Sequence, residues 1–440
     1  MAREFRGGVF RPVVTGGLLA LVMAFACAAP ASADWLDTER QLTSGDRVQQ
    51  WPQLSGTRLV YSDETSARQG QGDQTRLDIR VRDLATGADE LLTPDHSATG
   101  RAAISGHLVV WTDAGADAGI WSADLATGER RRLPVPAGDD PSVSGHQVCY
   151  TYLSRIRVYD LRTRRDRAVS PAGVHAGNCD ISGSIVVWQD DRSGNDDIYS
   201  KDLRSGVETR ITDDPAAQSM PRVDGHLVVW QDDRNGAGDT DIYADNLLTG
   251  DELQVTGATG VQSFPDVSDG RIVWTDERLG HGNAEVYAYD VASGVETRVT
   301  HDDGWSGTPT ISGNRIVYSD VSGDGQHLYQ RTITPPTLSI GVQADDETGQ
   351  PELVGQFTGA DGVPVVAASL QVEASSDGRS WIDAGIVTTA GDGSYTVALP
   401  DVRAITWFRV RFAGTPDYAP VTSTSVPAAS PVPAPVGPRR

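Results

Sequence analysis

The chain has 440 residues, enough for more than one domain, and a 38% hydrophobic content adequate for packed cores. Its 60 acidic residues outnumber 37 basic ones, giving a formal charge of −23. A surface this acidic repels phosphate backbones and anionic lipids, which excludes nucleic-acid and membrane-surface binding as expected roles.

Residues 1–33 read as a secretory signal peptide. Arg3, Arg6 and Arg11 precede an apolar run, Gly16 to Ala29, and Ala31-Ser32-Ala33 offers a small-residue cleavage site. The run is short for a membrane span, and Ala24-Phe25-Ala26 is a poor lipoprotein signal for Cys27. The expectation is a secreted or surface-associated protein without membrane insertion.

A repeat then begins. Leu59, Leu108, Gln147, Ile185, Leu227, Ile272 and Ile316 each open an apolar run closing on an aromatic: Tyr61, Trp111, Tyr150, Trp188, Trp230, Trp274 or Tyr318. The seven copies are spaced 38 to 50 residues apart. A short segment ending in a Gly turn precedes each run (PSVSG, CDISG, PTISG), and a second apolar-aromatic run such as DIYSKDL follows. A turn (ATG, RSG, LTG) and a last run such as ETRIT complete the unit. Short runs of β-branched and aromatic residues between Gly, Ser and Asp are strand signals, and four strands per unit at this period predict a β-propeller blade. The seventh unit lacks its fourth strand, because Pro335-Pro336 interrupts it; TERQLT, Thr38 to Thr43, lines up with VETRIT, Val207 to Thr212, and would supply it. The expected fold is therefore all-β: a seven-bladed propeller over 34–334, closed by an N-terminal strand.

The unit P-x-[VI]-S-G-x-x-V-V-W-x-D…D-I-Y-x-x-D-L-x-T-G-x-E-x-x-[LI]-T resembles the TolB-like extracytoplasmic propellers over roughly residues 38–334. Most first turns here read SG where TolB-type blades read SPDG. The resemblance implies a secreted propeller and leaves any part in a Tol–Pal-like envelope system open.

Past Pro336 the pattern changes to alternating hairpins. Residues 337–427 resemble a bacterial Ig-like sandwich, with Trp381, Tyr395, Phe408 and Phe412 as candidate core. SSDGRSW, Ser375 to Trp381, reads as a hairpin turn, and 428–440 as a Pro-rich disordered tail. Two readings stand for Cys149 and Cys179, which fall in neighbouring repeats: a disulfide formed in an oxidising compartment, or two buried thiols.

No GxSxG elbow and no HExxH zinc motif occurs in the sequence, so no catalytic residue is assigned. His107, His146 and His226 follow first-turn glycines where other units carry Thr57, Ser184, Arg271 or Asn314, so they read as exposed turn residues.

The acidic second loops of units four to six carry the candidate site. DDRSGNDD, DDRNGAGDTD and DERLGHGNAE contain Asp190, Asp191 and Arg192, Asp232, Asp233 and Arg234, and Asp276, Glu277 and Arg278 as candidate ligand-binding residues. One reading pairs each arginine with two carboxylates. The other makes Ca²⁺ the candidate cation, held by Asp190, Asp191, Asp196, Asp197, Asp232, Asp233, Asp239 and Asp241, although no loop follows the EF-hand order. Because successive strands are antiparallel, these second loops and the long inter-unit loops share one face, leaving the tight turns on the other. Binding is expected on the long-loop face and at the mouth of the central channel. The functional expectation is a non-enzymatic binding or scaffold protein for a protein or cell-envelope polymer. The alternative is a carbohydrate-binding or carbohydrate-active propeller, a lyase or glycosidase, in which Trp51, Trp121 and Trp305 would stack on sugars.

Overall fold

The computed structural model describes residues 36, 39–45, 47–65, 76–93, 98–236, 238–280, 282–301, 304–322, 325–333, 336–345, 348, 350–359, 364–399, 406–413 and 421–428. The expected signal segment and the residues after 428 lie outside them.

Strands account for the regular structure, and no helix long and apolar enough to cross a membrane occurs among the described residues. Units three to six are separate antiparallel four-stranded sheets whose strand order follows the chain. Unit four is typical: Ala176–Ser182, Ile185–Asp190, Asp197–Asp202 and Glu208–Arg210. The second strand buries Val186, Val187 and Trp188 completely, because sheets pack on both of its faces; its apolar run is therefore continuous rather than alternating. Units seven, one and two form one twelve-stranded sheet, yet the bridges between units are single: Val48 to Gln326 and Leu77 to Ala98.

The N-terminal strand Arg40–Gln41 pairs antiparallel with the last strand of unit seven, Gly325–Thr332, as the sequence alignment predicts. Its detail repeats that of a regular fourth strand. In unit four the Ile211 N–H donates to the Ile198 carbonyl at 2.8 Å while the Thr212 hydroxyl accepts the Ile198 N–H at 2.9 Å. At the closure, the Leu42 N–H donates to the Leu328 carbonyl at 2.7 Å, and the Thr43 hydroxyl accepts the Leu328 N–H at 2.8 Å. Leu36 and Leu42 are both buried.

Neighbouring units are clamped by the serine of the S-G turn. The Gly183 N–H donates to Ser144 Oγ at 2.9 Å, Gly225 to Ser182 at 3.0 Å and Gly313 to Ser268 at 3.0 Å. Cys149 and Cys179 form a disulfide between units three and four, with Cα atoms 6.4 Å apart. The bridge, not the pair of thiols, is what the fold contains.

C-terminal residues 337–428 form two further sheets. In one, Pro351–Thr358 lies between Gly341–Ala344 and Ser394–Ala398; in the other, Ser369–Ser375 lies between Ile382–Thr388 and Thr406–Phe412. Leu353, Phe357, Leu370, Tyr395, Phe408 and Phe412 share one core. Trp381 is not in it: the indole is half-buried with the Arg409 guanidinium 4.2 Å from its ring centroid, an aromatic covered by a cation at the surface. SSDGRSW is the expected turn. Asp377 accepts the Arg379 and Ser380 N–H groups, each at 2.8 Å, and these bonds pull its carboxyl down to about 2.

Candidate functional site

The acidic loops of units four, five and six fold into one repeated cage. In unit five, Trp230 at the end of the second strand donates its indole N–H to Asp232 at 3.0 Å. Asp232 is fully buried and takes the Arg234 guanidinium at 2.7 Å, which also reaches Glu252 on the fourth strand at 2.8 Å. The guanidinium lies 3.9 Å from the centroid of Tyr243, which is stacked on Trp230. Unit four repeats this with Trp188, Asp190, Arg192, Tyr199 and Glu208, and unit six with Trp274, Asp276, Arg278, Tyr287 and Glu296. The hydrogen bonds to Asp232 raise Arg234 above its ordinary pKa, against the opposing effect of burial. A buried carboxylate is tolerable here because two donors and a cation satisfy it.

The remaining predicted residues go to separate partners. Asp191 takes the His175 N–H at 2.9 Å and its ring nitrogen at 2.7 Å, and the first of these holds its carboxyl below the usual range. Asp197 pairs with Arg210 at 2.9 Å. Asp196 accepts from Gln189 at 3.3 Å; burial, then Asp191, raises its carboxyl. Asp233 accepts the Thr240 hydroxyl at 2.7 Å, Asp239 the Gly260 N–H at 2.9 Å and Asp241 the Thr256 hydroxyl at 2.8 Å. The Glu277 N–H donates to the Val261 carbonyl at 2.9 Å. Among the described residues no three His, Cys, Asp or Glu side chains are grouped to hold a metal ion. The structure thus gives Asp190, Asp232 and Asp276 to arginine and does not gather the expected calcium ligands into one set.

His107, His146 and His226 are exposed, as expected. Their backbone carbonyls accept the N–H groups of Leu125, Leu161 and Leu247, so any side chain serves at those positions.

A second site lies on the axis and was not assigned residue by residue from the sequence. Each first strand carries a bulge near its long-loop end, seen as a register shift at corresponding places. The bulge holds a residue in left-handed backbone: Trp51 at φ 52°, Asp140 at 48°, Asn178 at 51°, Met220 at 53°, Phe264 at 52° and Thr308 at 46°, with Gly100 at 77° in unit two. Such backbone costs about 1–2 kcal/mol per non-glycine residue and persists only where neighbours impose it. They do: the Met220 N–H donates to Gln189 Oε1 at 3.1 Å, Phe264 to Gln231 Oε1 at 3.0 Å and Thr308 to Thr275 Oγ1 at 2.9 Å. The residue between aromatic and aspartate in W-Q-D and W-T-D therefore fixes the bulge of the next unit. These residues, with Arg101, Arg222 and Asp266, line a cavity of about 270 Å³.

No protein-family profile matches the chain, and no curated protein matches it. Solved structures do. A puromycin hydrolase is 17% identical with a TM-score of 0.50, over 74% of this chain and 62% of its own. An oligogalacturonate lyase from Vibrio parahaemolyticus is 12% identical with a TM-score of 0.50, over 67% and 93%. The β-propeller domain of the trilobed protease from Pyrococcus furiosus is 13% identical with a TM-score of 0.48, over 66% and 94%. The fold is a β-propeller. At these identities the likeness concerns architecture alone, and one propeller scaffold carries unrelated activities.

Proposed function

We propose that the chain is an exported binding protein: a seven-bladed, TolB-like propeller closed by its N-terminal strand, followed by an Ig-like module, with the long-loop face as the docking surface for a protein or cell-envelope polymer. One observation carries this reading. Of the six large apolar side chains exposed on the described propeller units, Leu153, Phe264, Leu279 and Val321 lie at second loops, second-strand ends or first-strand bulges, all toward the long-loop face. Only Val207 and Leu248 lie at the tight turns opposite. Exposed apolar groups amid an acidic surface suit recognition of a large partner. The arginine cages hold the second loops of units four to six rigid, which lowers the ordering cost of binding.

The test is retention of the purified protein on envelope fractions of the producing cell. Leu153→Ser with Leu279→Ser should abolish retention, while Val207→Ser with Leu248→Ser should leave it intact. Equal loss in both pairs, or none in either, defeats the assignment of the face. Release of soluble sugar from those fractions would favour the carbohydrate-active reading instead.

A further inference from the structure

Two arginines in the axial channel have no counterpart in the repeat. The residue at which pairing resumes after the bulge is Gln53, Ser142, Asp180, Asp266 or Thr310 in five units and Ala103 in unit two, but Arg222 in unit five. Unit two instead carries a bulge one residue longer, into which Arg101 is inserted. Neither arginine is therefore demanded by the blade. Both line the same cavity.

We propose that the channel mouth binds a small organic carboxylate with an apolar body, the carboxylate bridging Arg101 and Arg222 and the body lying against Trp51, Met220 and Phe264. This rests on the long-loop face being the binding face and names what enters its centre. Arg101 makes no hydrogen bond or ion pair with any described residue. Arg222 gives Nη1 to the adjoining Pro221 carbonyl at 2.8 Å and forms no ion pair among the described residues. Of the three nearby acids, Asp140 attracts Arg101 from the cavity lining, and the other two are engaged in holding neighbouring units together. Asp180 takes the Ser142 hydroxyl at 2.6 Å and the Val223 N–H at 2.9 Å. Asp266 takes the Thr310 hydroxyl at 2.8 Å and the Ile311 N–H at 2.9 Å. Repulsion from Arg222, then burial, pulls Arg101 down to about 10 against the attraction of Asp140, Asp180 and Asp266, so the two guanidiniums repel across the cavity. A carboxylate between them removes that repulsion and matches the planar fork of each.

The apolar half has its own support. Phe264 is 40% exposed, and Trp51, Met220 and Phe264 are held in left-handed backbone that turns them to the channel lining. A volume of about 270 Å³ is small for a ligand pocket and suits one ring with a short acidic arm, free or at the end of a longer chain.

Isothermal titration of the full exported chain tests this, with 3-phenylpropionate, its amide, and a peptide ending in phenylalanine with a free or an amidated C-terminus. Binding of the acids at least tenfold tighter than of the amides is expected. Arg101→Gln and Arg222→Gln should each weaken it at least tenfold with melting temperature unchanged, and Arg222→Lys should weaken it less. Preference for the small acid marks a free ligand, and preference for the free-ended peptide marks a chain terminus; either supports the site. Amides binding as well as acids, or no carboxylate binding at all, overturns it. The Leu153→Ser, Leu279→Ser protein should bind the acid normally, so failure here is distinguishable from failure of the docking face.

Discussion

The Ser312 hydroxyl accepts the Gly56 backbone N–H at 3.0 Å, joining residues 256 positions apart. The same bond links Ser55 to Gly106, Ser105 to Gly145 and Ser144 to Gly183, and in one join Asp224 replaces the serine and takes the Asp269 N–H. Followed from unit to unit, these bonds return to their starting point. Ring closure therefore depends on the short N-terminal strand and on one clamp among equals.

Removing residues 34–45 deletes buried Leu36 and Leu42, the hydroxyl that caps Leu328, and Glu39, which accepts the Tyr318 hydroxyl. Two buried leucines at about 1.5–3 kcal/mol each, with an orphaned phenol at about 1–3 kcal/mol, give a loss of several kcal/mol. Ser312→Ala should cost only about 1 kcal/mol. Thermal unfolding of both variants checks this; a truncated protein melting with the Ser312→Ala protein would show that the strand does not close the ring.

Each arginine cage should be strongly coupled. Arg234→Met leaves the fully buried Asp232 carboxylate without its cation, and breaking such a pair costs about 3–5 kcal/mol. Asp232→Asn combined with Arg234→Met should cost less than the single arginine change, because no unpaired charge remains. Denaturant titration of the four members of this cycle reads the coupling, and additive losses would mean that the pair is not a unit.

The fold was legible because the aromatic run recurs seven times and the units differ mainly in their loops. Arg192, Arg234 and Arg278 were visible as balancing charges, but Glu208, Glu252 and Glu296 were missed, since fourth strands look featureless one at a time. The signal was present as covariation inside the chain. Where the second strand ends in Tyr61 or Tyr150, the hydroxyl donates to fourth-strand Asp89 or Asp166, and Arg80 or Arg157 stands where cage units have their stacked tyrosine. The axial ring stayed hidden for a physical reason: left-handed backbone at Trp51, Met220 or Phe264 contradicts their local preference and is imposed by the neighbouring unit.

The Cys149–Cys179 bridge ties the second strand of unit three to the first strand of unit four. With a sequence separation of 30 residues, its removal should cost about 3.6 kcal/mol through the freed unfolded chain. The double Cys→Ala protein should lose that much unfolding free energy in a denaturant titration, and peptide mapping without reductant should recover the linked pair from the native protein. Recovery of two free thiols would remove the bridge from the account.

Unit five lacks one cation that its neighbours have. Arg210 pairs with buried Asp197 in unit four and Arg298 with buried Glu285 in unit six, but the same register position in unit five is Gln254. Asp241 is as buried as its counterparts, and burial raises its carboxyl despite hydrogen bonds from Thr256 and Asn235. A raised acid favours the protonated folded state. Its contribution is therefore greatest below the ordinary carboxylate pKa of about 4 and is lost as pH climbs through the folded value. Gln254→Arg supplies the missing partner and should reverse that trend. It should stabilise by about 1 kcal/mol at pH 7 and give no gain at pH 3, below the raised carboxyl's range, where no charge is there to pair. Melting curves at the two pH values decide it: a gain that survives at pH 3 would come from arginine packing rather than from charge, and a loss at pH 7 would mean that Asn235 and Thr256 already satisfy the carboxylate.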